Sequence, residues 1–514
     1  MTAQKELEIK LEVAPSRLRR LNRIPLVKKL GVPPKRATEV SVYFDTATQK
    51  LRKKGLMLRV RRIGKHYLQT IKAAGASGPI ERNEWETEIT GAGPDLNIIG
   101  GTPLEPLMNN KVRRQLKPMF ETRVRRTIYP LVDETRAIDL TIDRGKIDTG
   151  DGSVPLCELE LELKRGNKEQ LFEIARVLTK ALPARLAFKS KSERGYEFIN
   201  GEQDAPVNAA PVDLPANSNA RDGFKLICFA SLKQIIDNTP ALLKEDTEGV
   251  HQMRVGLRRL RAAMSLFSVL LADNQTATIK RELKWLAGEL AAARELEVLT
   301  ERVIAPMKKQ HDGLRTGVPA VSQELAEKRK AALTRAENAV SSARFRRLIL
   351  EVVAWLELGQ WLKPEDDLVR SRGDIPIEIF ASEQLQRRWR KVRKRGKQIE
   401  QLDARKRHEL RIQVKKLRYA AEFFGGLFQG KKAKKRRKKF VAALEQLQDG
   451  LGDLNDIMVD ERLIAATATR RRRLSSNSTF AAGLLTGRED ARWDAAMSTA
   501  ILGYSKVVNA RSFW

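Results

Sequence analysis

Alternation of apolar and polar positions dominates the first two hundred residues. It recurs in ELEIKLEV, LMLRVRR, NEWETEIT, AIDLTIDRG and CELELELKRG, with Gly or Asp-Gly between several of these runs, and predicts a series of strands in a closed or strongly curved sheet. Two stretches have helical spacing instead, PSRLRRLNRIPLVKKLG near the start and NKEQLFEIARVLTKALP near Lys168, so the region reads as α+β. The stretch DAPVNAAPVDLPANSNARD, with three prolines and no periodicity, reads as a linker. Beyond it nearly every long segment has helical spacing and is rich in Leu, Ala, Arg, Lys and Glu, which predicts an all-α second part. The boundaries read from the pattern are a first domain over 1–203, a linker over 204–220 and a helical domain over 221–508.

An internal repeat lies within the helical part. VHQMRVGLRRLRAAMSLF at 250–267 matches KRHELRIQVKKLRYAAEFF at 406–424, and each copy is followed by a helical segment ending in acidic residues, LKWLAGELAAARELEVL and LEQLQDGLGDLNDIMV. Duplication predicts two related helical bundles.

The strand rows carry unusual polar pairs. Side chains two apart on a strand share a face, so Glu6, Glu8 and Lys10 project together while Leu7 and Ile9 point the other way. The same reasoning groups Arg59 with Arg61, Thr70 with Lys72, Glu84 with Glu86 and Glu88, and Glu158 with Glu160 and Glu162. If the sheet closes, these rows line one lumen, with carboxylates for a divalent cation and Arg and Lys for phosphate oxygens. The alternative for any single row is the solvated face of a half-buried strand.

In the helical part, positions i, i+3, i+7 and i+10 form one stripe. They are His251, Arg254, Arg258 and Arg261 in the first copy and His408, Arg411, Lys415 and Arg418 in the second. His66 and His311 have no such partner motif. A lone Arg-rich stripe would be a solvated face; duplication with the histidine kept in place argues for a shared polyanion groove. The runs KKAKKRRKKF at 431–440 and RRRR at 470–473 are either solvated loops or auxiliary contacts.

Charge sharpens this picture. The chain of 514 residues carries 97 Lys and Arg against 64 Asp and Glu, a net +33 that attracts polyanions. Nucleic acid is the rival ligand, but no recognition helix, finger or aromatic RNA-binding motif is visible, and aromatic residues are 6% of the chain. The two cysteines, Cys157 and Cys228, give no disulfide framework or metal-ligand spacing, which fits a reducing cytoplasm. The start MTAQKELEIK lacks the apolar core of a signal peptide, and the most apolar stretch, Leu348 to Leu362, is broken by Glu351 and Glu357, so no membrane span is expected.

The motifs ELEIK, YFDTATQKLRKKGLMLRVRR, Thr70-x-Lys72, FETRVRRTIY, IDRG, ELELEL and SKSERGY together resemble the CYTH, or triphosphate tunnel metalloenzyme, family across the first domain. That resemblance implies an eight-stranded antiparallel β tunnel that hydrolyses a triphosphate with Mg²⁺ or Mn²⁺, water attacking the terminal phosphorus. It implies that Glu6, Glu8 and Lys10 are catalytic, that Glu6, Glu8, Glu158 and Glu160 hold metal, and that Lys10, Arg59, Arg61, Lys72, Arg126 and Lys191 grip phosphates. In the strand at 123–126, alternation separates Arg123 and Arg125 from Arg126, and the family pattern favours Arg126.

HxxRxxxKKLR and LQDGLGDLND resemble the CHAD domain across about 221–508. This implies a duplicated helical bundle that binds inorganic polyphosphate through the two stripes; the chain departs from the family at RELEVL, where Glu295 and Glu297 stand in place of aspartates. Together the resemblances point to a CYTH-CHAD inorganic triphosphatase of the cytoplasm, associated with polyphosphate granules. Alternatives are a non-catalytic polyphosphate-targeting protein, or a nucleotide-directed tunnel enzyme such as an adenylate cyclase or thiamine triphosphatase.

Overall fold

The computed structural model describes residues 4–28, 33–73, 78–271, 273–301, 318–470 and 476–514. They form two compact units, one of Met1–Val207, Leu232–Lys244 and Ala339–Leu362, the other of Asn208–Ser231, Glu245–Asn338 and Lys363–Trp514.

The first unit is built on strands β1 (Gln4–Glu12), β2 (Lys35–Thr46), β3 (Leu56–Ile63), β4 (His66–Ala73), β5 (Glu81–Ile89), β6 (Leu116–Val132), β7 (Ala137–Asp148) and β8 (Ser153–Arg165). Their order is β5-β4-β3-β2-β6-β7-β8-β1, all antiparallel, and pairing of β1 with β5 closes the ring into an eight-stranded barrel. β1 changes neighbours partway. Gln4 to Leu7 pair with β5, whereas Lys10 to Glu12 pair with the short strand β9 (Arg185–Ala187).

Both faces of β1 are buried, as an inside-out strand requires. Ile9 and Leu11 are fully buried on the outer side, while Glu8 and Lys10 are buried towards the lumen. The outer apolar rows pack under cover. Leu58, Val60, Ile71 and Trp85 join a cluster with Ile99, Leu104 and Val112 from the segment after β5. Helix α1 (Lys168–Ala181) is fixed by an Asn167–Gln170 capping box and buries Leu171, Phe172, Ile174 and Leu178. Two segments from later in the chain complete this unit, 232–244 and helix α8 (Ala343–Leu358). On α8, Glu351 accepts two hydrogen bonds from Arg176 at 2.9 and 3.0 Å, and Glu357 pairs with Lys168 at 2.8 Å.

Among the described residues, the remaining α-helices of eight or more residues are α2 (Lys191–Ile199), α3 (Ala220–Asp237), α4 (Thr247–Leu266), α5 (Asn274–Glu289), α6 (Ala291–Leu299), α7 (Val318–Ser341), α9 (Asp367–Asp374), α10 (Ile377–Arg395), α11 (Ala404–Phe424), α12 (Lys431–Arg470) and α13 (Ser476–Asn509). The repeat is visible in local detail. Asp246 and Asp403 stand at matching places and cap α4 and α11 through side-chain acceptance of a backbone N–H. Phe267 and Phe424 end the two copies and meet edge to face at 5.9 Å, with Phe380 stacked on Phe267 at 4.4 Å. Among the described residues, no helix is long and apolar enough to cross a membrane.

Candidate active site

Strand register decides which side chains meet in the lumen. Across β1 and β8, Lys10 faces Glu160 and Glu8 faces Glu162; across β7 and β8, Asp143 faces Glu158; across β6 and β7, Arg126 faces Asp143; across β4 and β5, Lys72 faces Glu84. The lumen is a cavity of about 390 Å³. Its lining includes Glu6, Glu8, Lys10, Arg59, Arg61, Lys72, Arg126, Glu160 and Lys191. Arg126 therefore lies inside, while Arg123 and Arg125 are exposed outside, as the alternation of β6 dictates. Glu158 is buried beside this lining, tied to Lys191. Of the row on β5, Glu84 and Glu86 line the lumen, and Glu88 is exposed and pairs with His66 at 2.7 Å.

Lys191 is delivered by the first turn of α2. Ser190 and Glu193 form a capping box there, and Gly195 lets the helix press on Phe120, where an added Cβ would come within 2.2 Å of the ring. Glu193 is pushed down to about 2 although burial opposes this, because Lys233 and the Ser190 backbone N–H favour its charge. The Lys191 ammonium contacts Asp143 at 2.7 Å and Glu160 at 3.0 Å, and also Glu158.

Opposite charges interleave throughout. Arg126 donates to Asp143 from Nε at 2.8 Å and from Nη2 at 2.5 Å, and reaches Glu160 at 3.2 Å. Lys10 contacts Glu8 at 2.8 Å and Glu160 at 3.6 Å, and Lys72 contacts Glu6 and, at 3.2 Å, Glu84. Arg59 stands 3.6 Å from Glu84, and Arg61 3.7 Å from Glu39. Burial works against the charge of Glu160, but Lys191, Lys10 and Arg126 hold it well below the usual carboxylate range. Glu158 goes the other way: burial, helped by the neighbouring Glu160, pushes it up against the pull of Lys191. Burial likewise pushes Glu39 up.

Oxygens of Asp143, Glu158 and Glu160 lie within 4.8 Å of one another, a hard oxygen donor set of the kind Mg²⁺ and Mn²⁺ take. The buried Oε1 atoms of Glu8 and Glu158 sit beside lysines but accept no well-directed hydrogen bond, so both retain acceptor capacity. The donor set thus fits a divalent cation. Asp143, Glu39 and Arg82 were missed by the motif reading. Alternation would have found all three: Asp143 follows Asp139 and Thr141 along β7, Glu39 precedes Ser41 and Tyr43 along β2, and Arg82 extends the row of Glu84 and Glu86 by one step.

In the second unit the two stripes converge. Arg258 of α4 donates from Nε to the hydroxyl of Tyr419 on α11 and lies over its ring at 5.8 Å, with Arg418 over the same ring at 5.5 Å. Lys415 is lowered to about 7, first by burial and then by Arg411 and Arg258. His408 stands 3.3 Å from Asn455, and Arg411 stands 3.8 Å from Asp456, both on α12. His251 is half-buried and is lowered by burial and Arg294. The run at 431–440 forms the start of α12, with most of its lysines and arginines exposed and Phe440 buried, while His311 and Arg471 to Arg473 lie outside the described residues.

A closed barrel with an ion-lined lumen, on one chain with a duplicated helical region whose basic stripes meet, defines a two-part protein: a polar tunnel and a cationic helical module. The family model for the CYTH domain matches residues 4–196 and that for the CHAD domain matches residues 227–465, so the chain joins a CYTH domain to a CHAD domain. An inorganic triphosphatase of Haemophilus influenzae is 28% identical over 160 residues, 30% of this chain and 44% of that protein. The match thus spans less than half the length of that relative. The solved CHAD domain of the plant Ricinus communis is 29% identical, with a TM-score of 0.50 over 59% of this chain and 96% of its own. A putative adenylyl cyclase from Hippeastrum, described as having a dominant triphosphatase activity, is 18% identical with a TM-score of 0.29, covering 38% of this chain and 96% of its own.

Proposed function

We propose that residues 1–203 act as a tunnel domain hydrolysing inorganic triphosphate with Mg²⁺ or Mn²⁺, and that residues 221–508, after a linker at 204–220, bind inorganic polyphosphate. The observation that carries this reading is the pairing of every named lumen cation with a lumen carboxylate inside one buried cavity. Such a lumen can exchange partners without a net charge penalty. Lys10, Arg59, Arg61, Lys72, Arg126 and Lys191 would take the triphosphate oxygens, and Glu6, Glu8, Glu158 and Glu160, with Asp143, would hold the divalent cation. That cation, when bound, neutralises charge on the transferring phosphoryl group. The residues of the chain hold the three phosphates in line and exclude bulk water. The similarity of 160 residues of this chain to an inorganic triphosphatase supports the choice of substrate. Convergence of Arg258, Arg411, Lys415 and Arg418 supports a polyphosphate groove in the helical domain, which would raise the local concentration of phosphate chains near the tunnel.

The test is phosphate release from tripolyphosphate, ATP and thiamine triphosphate, each with Mg²⁺ and with Mn²⁺. Tripolyphosphate should be hydrolysed fastest and release should stop on chelation. Faster turnover of ATP or thiamine triphosphate would replace the substrate, and release without a divalent cation would overturn the metal role.

A further inference from the structure

Along α10, Gln384, Arg388, Lys391 and Arg395 follow at three- and four-residue spacing and so share one face. Arg388 is 6% exposed. It donates from Nη2 to the carbonyl of Ser265 at 3.0 Å, but its buried Nε has no hydrogen-bond partner, and neither has the buried Oε1 of Gln384 one turn earlier. Lys416, on the neighbouring helix α11, meets this row: burial, then the charges of Arg388, Lys391 and Arg395, lower its pKa. Lys391 is lowered by burial and by Arg387, Arg388 and Arg395, and Arg388 is pushed down to about 10 by burial and Arg387. Among the described residues, Arg395 has Glu409 at 2.7 Å, whereas Arg388, Lys391 and Lys416 have no ion pair.

A buried guanidinium beside two ammoniums and no carboxylate is costly unless an anion joins it. The duplication does not account for the cluster. With His251 aligned on His408, Ser231, Gln234 and Asn238 stand where the second copy has Arg388, Lys391 and Arg395. Nor does it belong to the stripes, because Lys416 lies about 100° around α11 from Lys415. A guanidinium fork with an open Nε and two flanking ammoniums suits a compact, multiply charged phosphate.

We propose that the cationic face shared by α10 and α11 is a second anion site, particular to the second repeat, that takes a diphosphate group, either free pyrophosphate or one segment of a polyphosphate chain. In the latter case it rests on the reading of the helical domain as a polyphosphate binder. The test is site-resolved acetylation of lysines in the full chain at neutral pH, read by mass spectrometry during titration with inorganic pyrophosphate, long-chain polyphosphate or duplex DNA. Pyrophosphate should slow acetylation of Lys391 and Lys416 about tenfold, the loss of free amine that a rise of one pKa unit produces. Lys434 and Lys438 on the exposed start of α12 should not change. Arg388→Met should abolish the protection; should that variant misfold, Lys416→Gln should abolish it at Lys391. Protection by polyphosphate without pyrophosphate assigns the site to a chain segment. Protection by pyrophosphate should persist in Arg258→Ala with Arg411→Ala, where weakened polyphosphate binding reports on the stripes alone. Uniform protection of all lysines, protection that survives Arg388→Met, or stronger protection by DNA than by either phosphate would overturn the proposal.

Discussion

Replacing Lys191 by Met removes one ammonium from three carboxylates at once. Contacts at 2.7 Å to Asp143 and 3.0 Å to Glu160, together with Glu158, make it the centre of the most buried part of the lumen. At an effective dielectric of about 20, an ion contact near 3 Å is worth about 5 kcal/mol before desolvation, and breaking a buried pair leaves a net loss of about 3–5 kcal/mol. Two readouts should move in opposite directions. Without the ammonium, Mg²⁺ meets less competition for Asp143, Glu158 and Glu160, so its affinity for the substrate-free protein should rise. Tripolyphosphate is left with one cation fewer to hold it, so its turnover should fall by about a hundredfold or more, the equivalent of about 3 kcal/mol. Calorimetric titration with Mg²⁺ and steady-state phosphate release measure the two effects. The acid side should shift as well. Lys191 and Arg126 hold Asp143 below its ordinary range, and Lys191, Lys10 and Arg126 do the same for Glu160. Their stabilisation is full above the unfolded carboxylate pKa and is lost as pH falls through the lower folded values. In Lys191→Met the window should narrow, so that the loss is smaller and is complete at higher pH. A variant that keeps turnover within about threefold, with unchanged Mg²⁺ affinity, would refute the assignment of Lys191 to the phosphate and carboxylate exchange.

Other outcomes follow from the same geometry. Glu6→Gln should leave the fold intact, because its partner Lys72 keeps Glu84 at 3.2 Å, yet remove most turnover; near-normal activity with unchanged metal dependence speaks against the carboxylate role. Arg258→Ala with Arg411→Ala should lower the salt dependence of polyphosphate binding by about two in the logarithmic slope, one for each guanidinium taken off the phosphate chain; an unchanged slope returns the stripes to solvated faces. Lys415, lowered to about 7 when free, should take up a proton when a polyanion binds at pH 8, so affinity should fall as pH rises above neutrality. Calorimetry in buffers of different ionisation enthalpy reads this uptake, and Lys415→Arg should remove it. A fragment ending at residue 203 should be less stable than the first unit of the full chain, since it lacks 232–244 and α8, including the Glu351 and Glu357 partners of α1; equal thermal midpoints would contradict this.

The barrel was legible in the sequence because period two survives wherever a strand has one apolar and one polar face, and in β1 both faces are buried without losing it. Arg126 shows the limit of reading strands one at a time. Its neighbours Arg123 and Arg125 look alike in composition, and register with Asp143 across β7 is what places Arg126 inside. Alternation along β7 marks Asp143 as facing the lumen with Asp139 and Thr141, and the cross-strand register with Glu158, set by pairing between strands, gives it a carboxylate neighbour. The helical stripes are marked by their repeat, whereas their meeting at Tyr419 depends on helix packing between distant segments. Least legible was the place of α8. Its sequence reads as one more apolar helix of the second half, and the ion pairs of Glu351 and Glu357 with α1 put it in the first unit.

The most direct measurement is a crystal structure of the full chain with tripolyphosphate and Mn²⁺, located by its anomalous signal. The account predicts the triphosphate inside the barrel, its oxygens on Arg59, Lys72, Arg126 and Lys191, with Mn²⁺ against lumen carboxylates and the carboxylate–cation pairs broken. Triphosphate held on the helical stripes, with the lumen pairs intact and no Mn²⁺ among the carboxylates, would contradict it.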